Sequence, residues 1–379
     1  MDFNLTSEQK LIKNTMREFA LKYVEPVAAE LDETARFPQD IFEKLAAGGW
    51  MGMPFPVEYG GQGTDYLTCM LAIEELARSC AATAFTMSVH TGVSSMAIFL
   101  YGTEEQKKVY LTPMAQGKHL GALAFTEPGA GTDVSAATST AVLDDDEYVI
   151  NGTKTFCSNG PVADTYIVAA WTDKSAGSKG MSAFIVPKGT PGLIIGSHFM
   201  KMGIRSSQTS EVIFKDCRIP KSNLLGSEGD GLKIAMSCFE NGRIGIASQC
   251  NGIIQAALDE SISYSKQRIQ FGKPISKNQA VQWWMVDMAT DLNAGRFLTY
   301  HAAFLKDSGK PFSKEASMAK LFCSEAAMKH TIKAVQIYGG YGYVKGVKVE
   351  RLMRDAKVTE IYEGTSEAQR MVIGGSILR

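Results

Sequence analysis

The segment Val142-Leu143-Asp144-Asp145-Asp146-Glu147-Tyr148-Val149-Ile150 places apolar residues on both sides of a short acidic stretch. This pattern is typical of a β-hairpin, and Asn151-Gly152 adds a further turn signal directly after it. Short apolar runs predict four more strands nearby: Tyr166–Trp171, Met181–Val186, Gly192–Ser197 and Glu211–Phe214. Short strands with polar turns and no intervening helices indicate a small antiparallel barrel or sandwich, and not a sheet of βαβ units.

Helical patterns lie on both sides of this β region. Thr6 and Gln9 form a predicted capping box, and Pro26 is expected to bend or end the first helix. Further N-terminal helices are predicted at Gln39–Ala47, Leu67–Ser79 and Ala82–Leu100. Four long patterns predict a C-terminal four-helix bundle: 230–266, 279–307, 313–337 and 347–376. The chain is thus predicted to be an α+β multidomain protein with an N-terminal helical domain (1–120), a central β domain (121–225) and a C-terminal bundle (226–379).

The composition is that of an ordinary globular protein, and it removes several classes of partner and site. The 39 basic and 40 acidic residues give a net charge of −1, which offers no electrostatic basis for binding nucleic acid or an anionic membrane. Seven cysteines without a Cys-x-x-Cys pair favour reduced thiols, and five scattered histidines predict no metal site. Gly226–Lys233 superficially resembles a phosphate loop, but Leu232 stands at the lysine position, so a glycine-rich turn before a helix is preferred.

Two segments bear on where the protein resides. The N-terminus, Met1-Asp2-Phe3-Asn4-Leu5-Thr6, has neither the basic nor the apolar region of a signal peptide. The stretch from Cys80 up to Glu104 lacks charged residues but contains His90, two glycines and several hydroxyls. It is therefore predicted to be a buried core helix and not a membrane span. We expect a cytoplasmic protein without membrane insertion.

Three segments combine residues in unusual ways. Phe125-Thr126-Glu127-Pro128-Gly129-Ala130-Gly131-Thr132-Asp133 is either an ordinary loop or a turn whose backbone N–H groups bind a polar ring or a phosphate. Gln336-Ile337-Tyr338-Gly339-Gly340-Tyr341-Gly342-Tyr343 is either a helix cap with a packed loop or a close approach to a flat ligand. Ile361-Tyr362-Glu363-Gly364-Thr365-Ser366-Glu367 contains Glu363, which is either a solvated surface charge or a base with a raised pKa.

Together these segments resemble the acyl-CoA dehydrogenase family, in the same order and over essentially the whole chain. Other matching segments are Phe156–Gly160, Lys201–Gly203, Tyr264–Arg268, Gln270–Gly272, Met353–Ala356 and Gly374–Arg379. The resemblance is closest to short-chain, butyryl-CoA dehydrogenase-like bacterial members. It implies a homotetramer with one FAD per subunit, which exchanges electrons with an electron-transferring flavoprotein. The implied reaction interconverts an acyl-CoA and its trans-2,3-enoyl-CoA by removal of the α-proton and transfer of the β-hydride to flavin N5.

The resemblance also implies roles for individual residues. Glu363 matches the catalytic base of the family. The residues that match the ring end of the FAD site are Phe125, Thr126, Gly131, Thr132, Phe156 and Ser158. Those that match FAD contacts from a neighbouring subunit are Arg268, Phe271, Gln279, Gln336, Gly339 and Gly340. Thr365 and Glu367 match contacts to the adenosine end. The residues that match substrate contacts are Thr132, Glu240, Arg243 and Gly364.

The sequence departs from the family pattern at some of these positions. Phe156 stands where tryptophan is usual, and Glu240 where aspartate is more common. Some branches carry the base just before Arg243, but that position is Gly242 here, which favours Glu363. The predicted pocket helix Ala84–Gly92 mixes bulky and small residues, so the substrate is either a short acyl chain or an aryl-acrylyl group. The direction of the reaction stays open, and the alternatives are an acyl-CoA oxidase or flavin monooxygenase-like enzyme and a non-catalytic scaffold.

Overall fold

The computed structural model describes residues 4–378. Met1, Asp2 and Phe3, which belong to the segment that argued against a signal peptide, lie outside the described residues, as does Arg379 at the end of the last matching segment. Within this range the chain forms an N-terminal group of helices, a β-sheet and a C-terminal group of helices. The predicted order of helical, β and helical parts is therefore confirmed.

The N-terminal part is built from helices, and the first of them begins at a side-chain cap. Thr6 Oγ1 accepts a hydrogen bond from Gln9 N at 3.1 Å and Gln9 Oε1 accepts one from Thr6 N at 3.0 Å, which confirms the capping box. The helices are α1 Ser7–Phe19, α2 Ala28–Thr34, α3 Gln39–Ala47, α4 Tyr66–Ser79, α5 Ala81–Ser88, α6 Met96–Tyr101, α7 Glu104–Gln106 and α8 Thr112–Ala115. After α1 the chain continues as a π-helical turn (Ala20–Val24) and a 3-10 turn (Glu25–Val27) that contains Pro26, as expected from the missing N–H of proline.

One helical stretch in this part passes the length and composition test for a membrane span. Within residues 4–378 it is Ala81–Tyr101, which comprises α5, a π-helical segment (Val89–Ser95) and α6. In the protein, 89% of its apolar window is buried. This burial agrees with the predicted core helix.

The middle part is an eight-stranded sheet. The strands are β1 Gly121–Ala124, β2 Thr140–Asp144, β3 Glu147–Ser158, β4 Thr165–Trp171, β5 Met181–Pro187, β6 Leu193–His198, β7 Thr209–Pro220 and β8 Leu224–Leu225. Seven of them follow the order β6-β7-β3-β2-β4-β5-β8, and β1 lies off this path beside β4. Antiparallel pairing of β2 with β3 confirms the predicted hairpin, in which Val142 lies opposite Val149. Most other pairs are also antiparallel, but β1 pairs with β4 in parallel, and one parallel pair joins Thr140 of β2 to Trp171 of β4.

The turn predicted at Asn151-Gly152 is wrong. Both residues lie inside β3, where the register against β7 shifts between Ile150 and Gly152. A Cβ atom at Gly152 would lie 2.2 Å from Ser139 Oγ, so the glycine permits a close approach at a β-bulge. A glycine that serves a bulge gives the same sequence signal as one that serves a turn.

The C-terminal part contains long helices packed side by side. They are α9 Gly231–Gln267, α10 Gln279–Asp307, α11 Ser313–Tyr338, α12 Lys348–Lys357 and α13 Ser366–Ile377, with a short hairpin of β9 Ile269–Gln270 and β10 Lys273–Pro274 after α9. The helix predicted from the pattern at 347–376 is therefore two helices, and Glu363 lies in the break between them. Glu363 and Gly364 have φ angles of 53° and 92°, a left-handed conformation that a right-handed helix cannot contain.

Candidate active site

Glu363 lies in a sharp turn between α12 and α13. Its side chain is partly buried, and its Oε2 atom is fully buried without a hydrogen-bond partner in the described residues. Burial raises the pKa of Glu363 to about 7, while the charges of Arg243 and Lys320 act in the opposite direction. A carboxyl group with this pKa can exchange a proton near neutral pH, as a general base must.

Buried polar atoms without partners concentrate around this turn. Fourteen such side-chain atoms occur among the described residues, and six of them lie on residues 241–248 and 363–369. The six are Asn241 Oδ1, Arg243 Nε, Ser248 Oγ, Glu363 Oε2, Ser366 Oγ and Gln369 Oε1. Because buried polar groups are nearly always satisfied, this cluster is typical of a site that a polar ligand completes.

Helix α9 packs against Glu363 through Gly242 and Arg243. A Cβ atom at Gly242 would lie 2.6 Å from Glu363 Oε2, so the carboxyl group occupies the space that glycine leaves free. Arg243 is buried and donates from Nη1 to Ser317 Oγ at 3.2 Å. Burial lowers the pKa of Arg243, and the nearby Glu363 and Glu240 oppose this shift. The structure thus brings Arg243 and Glu363 together, with Glu240 partly buried one turn earlier on α9.

The predicted pocket helix forms a wall beside Glu363. Phe85 of α5 stacks on Tyr362 with ring centroids 4.4 Å apart, and Tyr362 Oη donates to Gln249 Oε1 at 2.5 Å. The helix then widens into the π-helical segment 89–95, and Val93 Cγ2 lies 3.1 Å from the position of a Cβ at Gly242. Single π-helical turns inside α-helices occur often at functional sites.

The loop Phe125–Asp133 connects β1 to β2 and is fixed by one buried carboxylate. Glu127 Oε1 accepts from Lys154 Nζ at 2.8 Å, and both side chains are buried. Burial by itself would raise the pKa of Glu127, but the Lys154 ammonium and hydrogen bonds from Ser139 and Thr138 lower it to about 2. The loop is held from inside, while Gly131 and Thr132 are exposed at its far side.

The end of β3 lies beside this loop. Thr155 N donates to Thr126 O at 2.8 Å, which places Phe156 and Ser158 close to the start of the loop. Phe156 is 63% exposed with a φ of 52°, an unusual conformation for a large apolar residue. Phe125 packs edge-on against Phe239 of α9, one residue before Glu240, with centroids 5.3 Å apart. Phe125, which matches a contact to the ring end of FAD, therefore lies close to the segment that contains Glu240 and Arg243.

A second set of predicted residues lies elsewhere. A cavity of about 550 Å³ at the ends of α9 and α11 is lined by Tyr264, Arg268, Gln270, Ile275, Ile337, Tyr338, Gly339, Gly340, Tyr341 and Val344. It contains Arg268, Gly339 and Gly340 but not Phe271, Gln279 or Gln336, and Phe271 is 98% exposed. Because an α-helix rises roughly 1.5 Å per residue, Arg268 lies about 40 Å along α9 from Phe239. One chain does not bring the two sets of predicted FAD contacts together.

The remaining predicted residues lie at the start of α13. Thr365 Oγ1 accepts from Ala368 N at 3.2 Å and caps this helix, and Glu367 is exposed in its first turn. At Gly364 a Cβ atom would lie 2.7 Å from Gln369 Nε2, so this position needs glycine both for its φ angle and for space.

Two of the motifs that carried the resemblance have a structural role here. Arg354 donates to both carboxylate oxygens of Asp32 in α2 and to the backbone oxygen of Met202 at 2.9 Å. Asp355 accepts from Ile204 N at 2.5 Å. The segments Lys201–Gly203 and Met353–Ala356 thus join the N-terminal helices, the sheet and α12.

Two residues that hold the Glu363 turn, Lys320 and Gln369, lie outside the predicted site residues. Lys320 is fully buried in α11, and the residues within two helical turns of it include four small, buried ones. These are Ala316, Ala319, Cys323 and Ala327. A lysine among the small apolar residues of one helix face is the sequence signal for this role, because lysine is almost never fully buried without a partner.

Within residues 4–378 no group of three or more His, Cys, Asp or Glu side chains could hold a metal ion. All seven cysteines are buried and free.

Comparison with known proteins agrees with this arrangement. Three acyl-CoA dehydrogenase domain models match the chain: the N-terminal domain at 6–118, the middle domain at 122–217 and the C-terminal domain at 229–378. The chain is 50% identical to a short-chain specific acyl-CoA dehydrogenase of Clostridium acetobutylicum, over the whole of both chains. It is 49% identical to an acryloyl-CoA reductase (NADH) of Anaerotignum propionicum, over 100% of this chain and 96% of the relative.

A solved structure extends the likeness to three dimensions. It is described as an electron transferring flavoprotein of Acidaminococcus fermentans, towards a mechanism of flavin-based electron bifurcation. One of its chains is 50% identical and superposes with a TM-score of 0.99 over the whole of both chains. By its sequence, its three domains and its fold, the chain belongs to the acyl-CoA dehydrogenase family.

Proposed function

We propose that this protein is an FAD-dependent oxidoreductase that interconverts a short-chain acyl-CoA and its trans-2,3-enoyl-CoA, with Glu363 as the catalytic base. One observation carries the proposal: a buried, unpaired carboxylate oxygen on a residue whose pKa is raised to about 7, beside Arg243. A base of this kind can remove the weakly acidic proton next to a thioester, provided that the carbonyl is polarised at the same time.

The residues of this chain fit an FAD molecule. Phe125, Thr126, Gly131, Thr132, Phe156 and Ser158 would hold its ring end, and the exposed ring of Phe156 offers a flat apolar surface for it. At Gly339 and Gly340 no atom lies within 4 Å of where a Cβ would be, which leaves room for the other end of a cofactor. FAD, when bound, supplies the acceptor or donor of the β-hydride.

The protein's own groups would handle the proton and the carbonyl. Glu363 takes the α-proton from the acyl-CoA or returns it to the enoyl-CoA, and the buried cations Arg243 and Lys320 favour its ionised form. The backbone N–H of Glu363 makes no hydrogen bond within residues 4–378 and would donate to the thioester oxygen. Such a donor stabilises the negative charge that develops on that oxygen.

We also propose that the active form is a homotetramer in which Arg268, Phe271, Gln279, Gln336, Gly339 and Gly340 contact the FAD of a neighbouring subunit. The separation of about 40 Å along α9 supports this, since a single FAD molecule cannot span it within one chain. The nearly complete exposure of Phe271 agrees with a contact outside its own chain. Size-exclusion chromatography with light scattering would test it, and a monomer that retains FAD would contradict it.

The family and the relatives support proposals for the partner, the location and the direction. We propose an electron-transferring flavoprotein as the redox partner, a cytoplasmic location, and domains at 1–120, 121–225 and 226–379. A relative named as a reductase supports physiological reduction of an enoyl-CoA. A panel of alkyl and aryl-acrylyl CoA esters, assayed in both directions, would identify the substrate.

The decisive experiment uses the flavin as its own indicator. We expect the purified protein to be yellow and to lose its flavin absorbance on mixing with butyryl-CoA. Glu363→Gln should retain FAD and CoA-ester binding while turnover falls about 10²- to 10⁴-fold, the usual contribution of a positioned base. Glu325→Gln, at a partly exposed acid that pairs with Arg370, is the matched control, and its turnover should be unchanged. Unaltered turnover in Glu363→Gln would refute the assignment, and rapid peroxide formation in air would identify an oxidase instead.

A further inference from the structure

Lys320 is a buried cation whose only hydrogen bond within residues 4–378 is to a neutral group. Its side chain is fully buried in α11, and Nζ donates to Gly364 O at 2.7 Å. No carboxylate of the described residues lies within salt-bridge distance of it. Burial of an ammonium group is costly and is normally compensated by a carboxylate. The buried position of Lys320 is therefore explained by its hydrogen bond to the Gly364 carbonyl and not by an ion pair.

The turn that Lys320 contacts is strained and held from two sides. Gly364 O also accepts from Gln369 Nε2 at 2.9 Å, and the same Nε2 atom donates to Glu363 O at 3.1 Å. Glu363 keeps its left-handed φ of 53° although it has a side chain. A strained residue of this kind persists only where its surroundings over-determine its conformation. Lys320 and Gln369 provide these constraints, from α11 and from α13.

We propose that Lys320 is a positioning residue, whose ammonium group holds the Gly364 carbonyl and thereby aligns the Glu363 carboxylate with the substrate. The inference rests on the proposed function of Glu363. Lys320 does not need to touch the substrate, because it acts through the backbone of the turn. Displacement of a catalytic group by about 1 Å can lower a rate about 100-fold.

The positive charge of Lys320 has a separate consequence for the proton affinity of Glu363. Charged and titratable groups that face Glu363 or Lys320 come from α4, α9, the segment 358–363 and α13: Tyr66, Cys238, Arg243, Cys250, Glu360, Tyr362 and Glu367. Glu240 faces Arg243 in turn. Burial lowers the pKa of Lys320 to about 8, so the group is protonated at neutral pH. Its charge lowers the pKa of Glu363, and removal of the charge must raise it.

The test compares three variants in the FAD-loaded enzyme. Lys320→Met removes the charge and the donor, Lys320→Arg keeps the charge with a different shape, and Lys329→Met removes an exposed lysine from the same helix as a control. We measure kcat and KM for butyryl-CoA against pH, FAD content and thermal stability. Infrared difference spectra against Glu363→Gln report the protonation of this carboxyl group independently of activity.

We expect Lys320→Met to lower kcat about 10- to 100-fold with KM little changed, and to shift the acid limb of the kcat profile and the infrared titration to higher pH. Lys320→Arg should lower kcat but leave both titrations where they are in the wild type. If Lys320→Met does not fold, the Arg variant decides: an unchanged kcat in it would overturn the proposal. Wild-type kcat and titration in Lys320→Met would overturn it too, with Glu363 still the base. A wild-type enzyme inactive with every CoA ester would instead remove the proposed function, and this inference with it.

Discussion

The substitution Gly242→Ala is expected to lower the activity of this protein without lowering its stability. The new Cβ would lie 2.6 Å from Glu363 Oε2 and 2.9 Å from its Cδ, whereas ordinary contacts begin at 3.4 Å. The carboxyl group must therefore move by about 0.8 Å, and Val93 Cγ2, at 3.1 Å, must yield by a few tenths of an ångström. Because a shift of about 1 Å can cost 100-fold in rate, we expect kcat to fall by nearly that factor, or about 2.7 kcal/mol in the activation barrier.

The stability of the same variant should change little or increase. Gly242 lies in the interior of α9, where alanine favours the helix by about 1 kcal/mol relative to glycine. The atom it displaces is the far end of a flexible side chain, which can rotate away at small cost. The variant should thus be folded and FAD-loaded, with a melting temperature at or above that of the wild type.

The assay is steady-state reduction of an electron acceptor by butyryl-CoA, together with thermal melting of both proteins. Gly375→Ala is the matched control, since it lies in α13 with no atom within 4 Å of its new Cβ, and its kcat should be unchanged. If Gly242→Ala kept the wild-type kcat, the carboxyl group would not need its observed position. Alignment of the carboxyl group would then not limit the rate.

Three further predictions concern the titrating and paired carboxylates. Since Glu363 must be ionised to accept the α-proton and its pKa is about 7, kcat for dehydrogenation should fall below pH 7, and an acid limb near the ordinary value of 4.5 would contradict this. A folded pKa above the unfolded one means that Glu363 stabilises the fold below pH 4.5 and that this contribution is lost as pH rises through 7. The melting temperature of Glu363→Gln should therefore exceed that of the wild type at pH 8 but not at pH 4. Equal melting temperatures at pH 8 would argue against a raised pKa of Glu363. Lys154→Met leaves Glu127 buried without its cation, so the free energy of unfolding should drop by about 3 kcal/mol in urea titrations, and a drop below 1 kcal/mol would be inconsistent with a strong pair. The pKa of Glu127 is lowered to about 2, so the stabilisation by this pair is present above pH 4.5 and is lost as pH falls towards 2.

Local patterns predicted most of the fold. The capping box at Thr6 and the hairpin at 142–150 depend on neighbours within a few residues, and both are confirmed. The two errors arose where a local signal has two structural meanings. Gly152 serves a bulge and not a turn, and the helical pattern at 347–376 continues across a break that backbone geometry imposes at Glu363.

The candidate site was less accessible to sequence patterns, because its contacts join distant segments. Glu363 itself was identified through the family resemblance, and its burial agrees with that role. Nothing near Gly242 in the sequence indicates that a carboxyl group 121 positions later fills its space. The contact of Lys320 with the Gly364 carbonyl is equally invisible, since spacing along α11 shows that the lysine is buried but not what it meets.

The length of α9 has a consequence for mixtures of defective chains. Glu363 contacts the first half of this helix, and the cavity that contains Arg268 lies at its far end. In the proposed homotetramer, each active site combines Glu363 of one subunit with Arg268 of a neighbouring subunit. A variant at Arg268 and a variant at Glu363 therefore inactivate the site through different subunits. In a mixed tetramer, some sites combine the intact Glu363 of one variant with the intact Arg268 of the other. Co-expression of the two inactive variants should therefore restore part of the activity that neither has alone.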